Sequence, residues 1–469
     1  MCAKRRAASN ILFSTEFYSD LELAGMVYGK IVRAPYASGT IADITLPPLP
    51  DGYAFFSAKD IPGKKSIKTL GVETPVFCTG RIAYKGEPVG ILVGSDAQTL
   101  EALSAGVAVQ LKPEEPAPAT AGGAESAAAG VFAAPAPLAE RTVRYGTSDG
   151  EAFDALLAGA DYLVDGAWNS TLRPIAYGEP CGALAFIKGS SLHVFTATQW
   201  ISHLRKALSD VTGFDSAKII ITRTPSSDLN THLLWRATLL AAQAATATLL
   251  FGKPVKLMLS RDEQDCYMNK AAPVSILYKT ALLKSGEFSA IDCTIDIDVG
   301  CYNPFARELV NRCILACCSI YRAKNLRLHA VARSSQKPPF SINLATIDSQ
   351  VFFAIESQLQ FIAERTHFTP LELRLCNSRL PALKHDSFPF RFNCEKVTET
   401  LEAVCRASDF LRKYTAYKLD EGDRYKKSFT SPFAPPLRGV ALTCAFEGSG
   451  FLGTSFSLKH LALEATLTK

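Results

Sequence analysis

The sequence predicts an α+β protein of more than one domain, on three observations. Runs rich in β-branched and aromatic residues alternate with helix-like runs through residues 177–263, which is typical of layered packing of helices on a sheet. The chain has 469 residues, and domains usually have about 100–200, so two to four domains are expected. Hydrophobic residues make up 48% and charged residues 20%, which is enough apolar material for large cores.

The stretch 177–263 organises the rest of the chain, and its pattern predicts two helices between strands. The predicted elements are a helix at 201–213, a strand at 218–222, a polar segment at 224–231, an apolar helix at 232–251 and a strand at 255–259. The apolar run contains Arg236, Gln243 and several threonines, so we expect a buried helix rather than a membrane span. Asp262 and Glu263 come after this last strand, and we expect them in a solvated turn.

Residues 20–112 form the first predicted unit, after an N-terminal tail at 1–19. Strands are predicted at 27–33, 39–45, 52–57, 89–94 and 106–111. A helix is predicted at 97–105, with Asp96 as its N-cap. Residues 113–140 are rich in Ala, Pro and Gly and predict a linker, because they cannot bury enough apolar surface to hold a fold.

A second unit is predicted over 141–395, and a shorter third segment over 396–469. Apolar residues of 349–366 recur at helical spacing, which indicates one buried helix face. The other elements of the second unit are helices near 153–157 and 307–318 and strands near 162–166, 274–283, 290–300 and 325–332. In the third segment we expect a helix at 397–417 and a charged turn region at 420–427.

Several classes of function are disfavoured by composition and motifs. A net charge of +5 gives no case for nucleic-acid binding. The 13 cysteines contain no Cys-x-x-Cys pair, and the closest group (Cys313, Cys317, Cys318) is expected to be buried and reduced. The seven histidines lack ligand spacing, and no P-loop, Gly-x-Gly-x-x-Gly or Gly-x-Ser-x-Gly motif is present. The apolar run after the basic N-terminus is too short for a secretory signal, so we expect a cytoplasmic protein without membrane contact.

Four blocks of the first unit carry a resemblance to a known family. They are Tyr-Gly-Lys-Ile-Val-Arg-Ala-Pro at 28–35, Ala-Lys-Asp-Ile-Pro-Gly at 58–63, Tyr-Lys-Gly-Glu-Pro-Val at 84–89, and the strand 106–111. At this spacing they resemble the α/β hammerhead domain that opens the large subunit of the xanthine dehydrogenase and aldehyde oxidase family. The linker at 113–140 also falls where that family has a connecting segment.

The later part of the chain extends this resemblance. Pro370, Glu372, Arg374 and Asn377 fill a Pro-x-Glu-x-Arg-x-x-Asn pattern that ends the family's first molybdenum-cofactor-binding domain. Residues 437–451 resemble the opening of the second such domain. The resemblance therefore implies a hammerhead domain, a mixed α/β cofactor-binding domain at 141–395, and the start of a second one at 396–469.

The resemblance assigns three side chains to the site. Gln199 ends a Thr-Ala-Thr-Gln block, and in the family this amide hydrogen-bonds an oxygen ligand of molybdenum. Gln350 matches the glutamine that ends the family's second glycine-rich block, so both are expected to bind the cofactor. Glu179 matches the family's Met-Glu-Pro block and is assigned to the substrate pocket. For each residue a purely structural role stays open. No catalytic residue and no protein ligand to a metal is predicted.

The sequence departs from the family where its site motifs should be. The glycine-rich Gly-Gly-Gly-Phe-Gly-Gly-Lys-Glu falls on residues 227–234, where Ser227, Asp228 and Leu229 take glycine places and Leu234 takes the place of the acid. Those glycines let the backbone approach the cofactor, which residues with a Cβ resist. The second block falls on residues 344–350 and loses its substrate-facing arginine to Leu344. The family's catalytic glutamate lies beyond the part that this chain resembles.

Two hypotheses follow. In the first, the chain is the N-terminal, molybdopterin-binding part of a xanthine dehydrogenase/aldehyde oxidase-type hydroxylase and is inactive alone. It would share a molybdenum–pterin cofactor with a second chain that supplies the C-terminal molybdenum domain, and iron–sulfur and flavin subunits would carry the electrons. In the second, the chain is a degenerate, non-catalytic family member that binds no cofactor and acts as a scaffold or assembly partner.

Overall fold

The computed structural model describes residues 17–112, 137–174, 181–225, 234–268, 270–341, 344–378, 394–427 and 438–446. Helices and strands both run through these ranges, which confirms the predicted α+β class. Several predicted elements agree residue for residue with the structure, among them the strands Val27–Arg33 and Gly39–Thr45 and the helix Ala97–Ala105.

The strands are numbered here in chain order. They are β1 (Val27–Arg33), β2 (Gly39–Thr45), β3 (Ala54–Ser57), β4 (Ser66–Thr69), β5 (Val72–Pro75), β6 (Arg81–Ile82), β7 (Pro88–Gly94), β8 (Ala108–Leu111), β9 (Pro137–Tyr145), β10 (Tyr162–Ser170), β11 (Arg173–Pro174), β12 (Gly182–Lys188), β13 (Ser191–Thr196), β14 (Ile219–Arg223), β15 (Val255–Met258), β16 (Lys270–Ala271), β17 (Val274–Leu282), β18 (Phe288–Asp298) and β19 (Asn325–Arg333).

The α-helices are numbered in the same way. They are α1 (Ala97–Ala105), α2 (Gly150–Ala158), α3 (Ile201–Thr212), α4 (Arg236–Phe251), α5 (Arg261–Tyr267), α6 (Ala306–Ala316), α7 (Leu344–Arg365), α8 (Pro370–Ser378), α9 (Cys394–Ser408) and α10 (Phe410–Lys427). Asp96 caps α1 as predicted, because its carboxylate accepts a hydrogen bond from the Thr99 N–H at 2.7 Å.

A seven-stranded sheet joins the first predicted unit to the second. Its strand order is β14-β13-β12-β15-β1-β7-β3, so three strands come from residues before 112 and four from residues after 181. The joint is a parallel pairing of β1 with β15, in which Val27 lies opposite Val255 and Gly29 opposite Leu257. Helices α3 and α4 pack on this sheet and bury an apolar core.

A glycine makes a second joint between the two units. The Gly63 N–H donates to the Val211 carbonyl oxygen at 2.9 Å, near the end of α3. A Cβ at Gly63 would lie 2.3 Å from the Asp210 carbonyl oxygen, so a side chain at this position would push the backbones apart. The Lys64 ammonium reinforces the contact with an ion pair to the Asp210 carboxylate at 3.1 Å.

A five-stranded sheet forms the other large layer. Its order is β10-β17-β18-β19-β9, and helices α6 and α7 cover one face with the largest apolar core of the protein. Strand β9 begins at Pro137, so residues 137–140, which the sequence placed in the linker, belong to this sheet. They pair with β19, where Glu140 lies opposite Val331.

The C-terminal helices differ from the prediction. The single helix expected at 397–417 is two helices, because Asp409 between α9 and α10 has a positive φ of 53°, which a regular helix does not allow. Residues 420–427, expected in a turn region, form the last turns of α10. Charged residues are common both in exposed helices and in turns, so composition could not distinguish the two.

The acidic pair after β15 also differs from the prediction of a solvated turn. Ser260 and Glu263 form a capping box that starts helix α5, in which each side chain accepts a hydrogen bond from the other's backbone N–H. The Glu263 carboxylate is buried and lies 3.2 Å from the Lys30 ammonium and 3.5 Å from the Arg33 guanidinium. Glu263 therefore ties α5 to β1 of the first unit.

The cysteine prediction is confirmed as far as burial is concerned. Cys313, Cys317 and Cys318 are buried free thiols in the core beneath the five-stranded sheet. Burial raises the pKa of Cys313 and of Cys317, which keeps both thiols protonated and unreactive. In the described part of the chain, no set of three His, Cys, Asp or Glu side chains is placed to hold a metal ion. No helix of those same ranges is long and apolar enough to cross a bilayer.

The Arg374 side chain, singled out by the Pro-x-Glu-x-Arg-x-x-Asn pattern, makes a buried ion pair. Arg374 is only 1% exposed, and its Nη2 donates to the Glu356 carboxylate of α7 at 2.5 Å. Glu356 also accepts a hydrogen bond from the Tyr321 hydroxyl at 2.5 Å. This network fixes α8 against α7, and removing one partner would leave the other charge buried.

Replacing Arg374 with Met is expected to lower the free energy of unfolding by about 3–5 kcal/mol, because the Glu356 carboxylate loses its cation while buried. Arg406→Met is the control, since Arg406 is 73% exposed and lies 3.8 Å from Glu402. Denaturant titration followed by far-UV circular dichroism measures both. Equal unfolding midpoints for the two variants would contradict the buried-pair interpretation.

Candidate functional site

The structure describes two of the three predicted site residues. Gln199 lies in the bend between β13 and α3, and its side chain is exposed to solvent. It does not line the cavity at Trp168 and Phe352, the one at Gly166 and Leu277, or the one at Leu70 and Arg307. Glu179 lies outside the described residues. The cofactor role of Gln199 therefore stays a prediction.

Gln350 lies in the first turns of α7 and is 8% exposed. Its Nε2 group donates two hydrogen bonds inside the protein, one to the Ser170 hydroxyl at 2.8 Å and one to the Ala272 carbonyl oxygen at 2.7 Å. Its Oε1 is buried without a hydrogen-bond partner in the described structure. Both Nε2 protons of Gln350 therefore hold α7 against β10 and the β16 region. Only its Oε1 atom is left, as a hydrogen-bond acceptor.

The place of the family's first glycine-rich block is described only at its end. Residues 227–233 lie outside the described ranges, whereas Leu234 and Trp235 lie at the start of α4. They belong to an apolar group that we name the aromatic cluster, which consists of Leu70, Trp200, Leu234, Trp235 and Phe305. Trp200 follows Gln199 directly, and Leu234 stands where the family has its acid. Apolar side chains therefore lie next to Gln199 and at Leu234, two positions at which the resemblance expects site groups.

Hydrogen bonds link Trp235 of the aromatic cluster to His203 of α3 through Thr69. The Trp235 indole N–H donates to the Thr69 hydroxyl at 3.0 Å, and that hydroxyl lies 2.9 Å from Nε2 of His203. The Trp200 ring stacks on the His203 ring with centroids 4.5 Å apart. Burial lowers the pKa of His203, so the ring is neutral near pH 7. These contacts join the tip region of the β4–β5 hairpin to α3 and α4.

The β4–β5 hairpin was missed by the sequence reasoning. Each strand has only four residues, and polar residues such as Ser66, Lys68 and Glu73 leave too few apolar positions for an alternating pattern to be recognised. Its tip holds Leu70 at a φ of 48° and Gly71 at 90°. A leucine in the left-handed region is strained, and here its side chain packs on the aromatic cluster. The Leu-Gly pair at the tip, between two polar runs, was the sequence feature that could have predicted this turn.

A buried carboxyl lies near the same junction. Glu87, in the turn before β7, is 3% exposed and accepts a hydrogen bond from the Ala83 N–H at 2.6 Å. Burial raises the pKa of Glu87 above its ordinary value. Burial, and then the nearby Glu87 carboxyl, raise the pKa of Cys78 to about 11. Sequence reasoning used Glu87 only as part of a family block and did not expect its burial.

These observations test whether the described residues fit the molybdenum–pterin group that the resemblance implies. A site for such a group needs converging donors around an open space. The two predicted amides do not provide this, since Gln199 is exposed and Gln350 spends both its donors within the protein. The described residues therefore do not fit the cofactor by themselves, and no reaction step is derived through it.

Replacing Gln350 with Glu is expected to destabilise the protein by about 2–4 kcal/mol, because a carboxylate cannot donate to Ser170 and Ala272 and would be buried without a cation. The control is Gln110→Glu on β8, where the side chain is exposed. Thermal unfolding of both variants at pH 7 measures the difference. A Gln350→Glu midpoint equal to that of Gln110→Glu would mean that the amide is not fixed as described.

Replacing Glu87 with Gln is expected to remove part of the pH dependence of stability. Since the folded-state pKa lies above the ordinary value of 4.5, the folded protein keeps a proton that the unfolded chain has lost. Stability from this group is therefore full below pH 4.5 and falls as the pH rises toward the folded-state pKa. Unfolding midpoints measured from pH 4.5 to 8 should decline less for Glu87→Gln than for the wild type. Glu421→Gln, at an exposed position, serves as the control. Equal pH dependence of the unfolding midpoint in all three proteins would contradict the raised pKa of a buried Glu87.

Two family models match the chain. The model for the aldehyde oxidase and xanthine dehydrogenase a/b hammerhead domain matches residues 14–115, and the model for the molybdopterin cofactor-binding domain matches residues 234–378. Together they cover more than half of the chain.

Relatives with known names agree with this assignment. A probable xanthine dehydrogenase subunit of Bacillus subtilis is 24% identical over 85% of this chain and 53% of its own length. The nicotinate dehydrogenase large molybdopterin subunit of Eubacterium barkeri is 20% identical over 84% of this chain and 92% of its own length. The chain thus spans about half of the Bacillus relative and nearly all of the Eubacterium protein.

Solved structures show the same fold. The aldehyde oxidoreductase of Desulfovibrio gigas superposes with a TM-score of 0.71 at 22% identity, over 87% of this chain and 46% of that one. The quinoline 2-oxidoreductase of Pseudomonas putida 86 superposes with a TM-score of 0.72 at 20% identity, over 89% of this chain and 55% of that one. With a hammerhead domain joined to a molybdopterin cofactor-binding domain, the chain belongs to the xanthine dehydrogenase and aldehyde oxidase family.

Proposed function

We propose that this chain is a subunit of a xanthine dehydrogenase/aldehyde oxidase-type complex, in which it acts as a scaffold and performs no hydroxylation by itself. The observation that carries this proposal is the aromatic cluster, in which Trp200 and Leu234 pack on the buried pair Trp235 and Phe305 where the family's site motifs should bring polar groups together. The replacement of the family's glycines by Ser227, Asp228 and Leu229 supports it.

The parts of the fold that hold its layers together are retained. The β1–β15 pairing, the close approach at Gly63 and the Arg374–Glu356 pair all lie in well-packed regions. A chain with no role would have no reason to keep buried charges paired, since each unpaired charge costs several kcal/mol. The scaffold proposal thus accounts for two observations. The site motifs have been replaced, whereas the contacts that hold the layers together are retained. The buried free thiols of the described residues favour a reducing compartment, which supports the proposal of a cytoplasmic location.

A second candidate function is that the chain shares a molybdenum–pterin cofactor with another polypeptide. The extent of the match to the Eubacterium barkeri protein favours it, because a large molybdopterin subunit of about this span exists there as one protein. In this case the exposed amide of Gln199 would meet a cofactor held mainly by a chain that carries the C-terminal molybdenum domain. Iron–sulfur and flavin subunits would be the electron-transfer partners.

Purification of the chain alone and with its co-purifying partners tests the two candidates. We expect the isolated chain to contain less than about 0.1 molybdenum per chain and to oxidise neither xanthine nor an aldehyde, because its donors do not converge on a site. Metal analysis after anaerobic purification and dye-coupled assays measure this. Turnover by the isolated chain would contradict the proposal.

Gln199→Ala separates the candidates within the complex. A scaffold keeps its partners and the molybdenum content of the complex when this exposed amide is removed. A shared cofactor site would lose molybdenum or activity severalfold while the partners still co-purify. Ser191→Ala, at the start of β13, is the control for a substitution elsewhere in the same region of the chain.

A further inference from the structure

A cavity of about 430 Å³ opens beside the aromatic cluster, between the β4–β5 hairpin and the first turn of α6. Its main lining side chains are those of Leu70, Val72, Leu138, Tyr302, Pro304 and Arg307. Neither Gln199 nor Gln350 lines it, so it is separate from the residues predicted to hold a cofactor. Its volume lies within the range of about 300–1,000 Å³ that is usual for small-molecule sites.

The walls of the cavity are apolar and come from distant parts of the chain. Leu70 and Val72 lie on the hairpin, Leu138 on the first strand of the five-stranded sheet, and Pro304 on the loop before α6. Leu138 is 49% exposed and lines the cavity from the edge strand of that sheet. A flat apolar group placed between these side chains would remove their surface from water.

Two residues of the cavity wall have strained backbones. Leu70 has a φ of 48° and Tyr302 a φ of 49°, both in the left-handed region that non-glycine residues rarely adopt. Such a conformation is unfavourable for a residue with a Cβ and persists only where the surroundings impose it. Strain of this kind concentrates at ligand sites, and here it holds two wall residues of one cavity.

One guanidinium at the edge of the cavity has no partner among the described residues. Arg307 is exposed, and none of the described residues makes an ion pair or a hydrogen bond with its side chain. Among those same residues, no carboxylate lines the cavity that could neutralise it. The neighbouring Asn303 amide is already used, since it donates to the Val299 and Phe340 carbonyl oxygens. A free guanidinium beside apolar walls suits a planar carboxylate, which it can bind through two parallel hydrogen bonds.

We infer that this cavity binds a small aromatic monoanion, with the ring between Leu70, Val72 and Leu138 and the carboxylate on Arg307. A single cation matches one negative charge and not a polyphosphate. A volume of about 430 Å³ holds one or two rings and excludes a lipid chain of membrane length. This site would give the scaffold a ligand of its own, independent of any molybdenum–pterin group.

Binding of benzoate and of its neutral analogue benzamide to the full-length chain tests this inference. Saturation-transfer NMR titrations give both affinities. We expect benzoate to bind at least tenfold more tightly than benzamide, because only the anion forms charge-assisted hydrogen bonds with Arg307. Arg307→Gln should weaken benzoate binding about tenfold and leave benzamide unchanged. Exposed Arg406→Gln is the control and should alter neither affinity.

Two further variants keep the test decisive. Val72→Phe fills the cavity and should abolish binding of both probes. Arg307→Lys keeps the positive charge but loses the planar guanidinium with its paired donors, so its affinity for benzoate should be intermediate. Circular dichroism confirms that each variant is folded. No benzoate binding by the wild type at 10 mM, or equal benzoate affinity in the wild type and Arg307→Gln, would overturn the inference (millimolar binding is the weak limit of specific recognition).

Discussion

The parallel pairing of β1 with β15 is the constraint on which the rest of the structure depends. It places Val27 beside Val255 at the centre of a seven-stranded sheet, so a strand from the N-terminal hammerhead is also a core strand of the layer that follows it. Parallel pairing requires that both strands be covered on their faces, and α3 and α4 supply part of that cover. The two matched domains are therefore separate in sequence but share one sheet and one core.

The contacts around this joint explain why the framework survives the loss of the site motifs. Gly63 brings a hammerhead loop against the end of α3, and Glu263 brings α5 against Lys30 and Arg33 of β1. None of these contacts involves Gln199, Gln350 or residues 227–234. The contacts made by Gly63 and Glu263 therefore do not depend on the substituted cofactor motifs. The hairpin tip at Leu70 can then pack on Trp235 and Phe305 without competition from polar groups.

Local pattern predicted most of the fold and little of the site. Val27–Arg33 and Ala97–Ala105 were predicted residue for residue, since alternation and an aspartate cap act within a few residues. The β4–β5 hairpin is local, but its four-residue strands are too short for a periodic pattern, and the break at Asp409 is one residue with a positive φ. The burial of Glu263 depends on Lys30 and Arg33, which lie far away in the chain and which periodicity does not register. For the same reason the family pattern located Gln350 but not its hydrogen bonds to Ser170 and Ala272.

Hydrogen–deuterium exchange of the isolated, cofactor-free chain tests the central claim most directly, which is that the aromatic cluster forms a packed joint without a bound group. If the cluster is packed, peptides covering 200–212 and 234–251, which include Trp200, Leu234 and Trp235, exchange as slowly as those covering β1 and β15. Rapid exchange at 200–212 and 234–251, in a chain whose β1 and β15 stay protected, would contradict it. Such a result would mean that the site region awaits a cofactor or a second chain to become ordered.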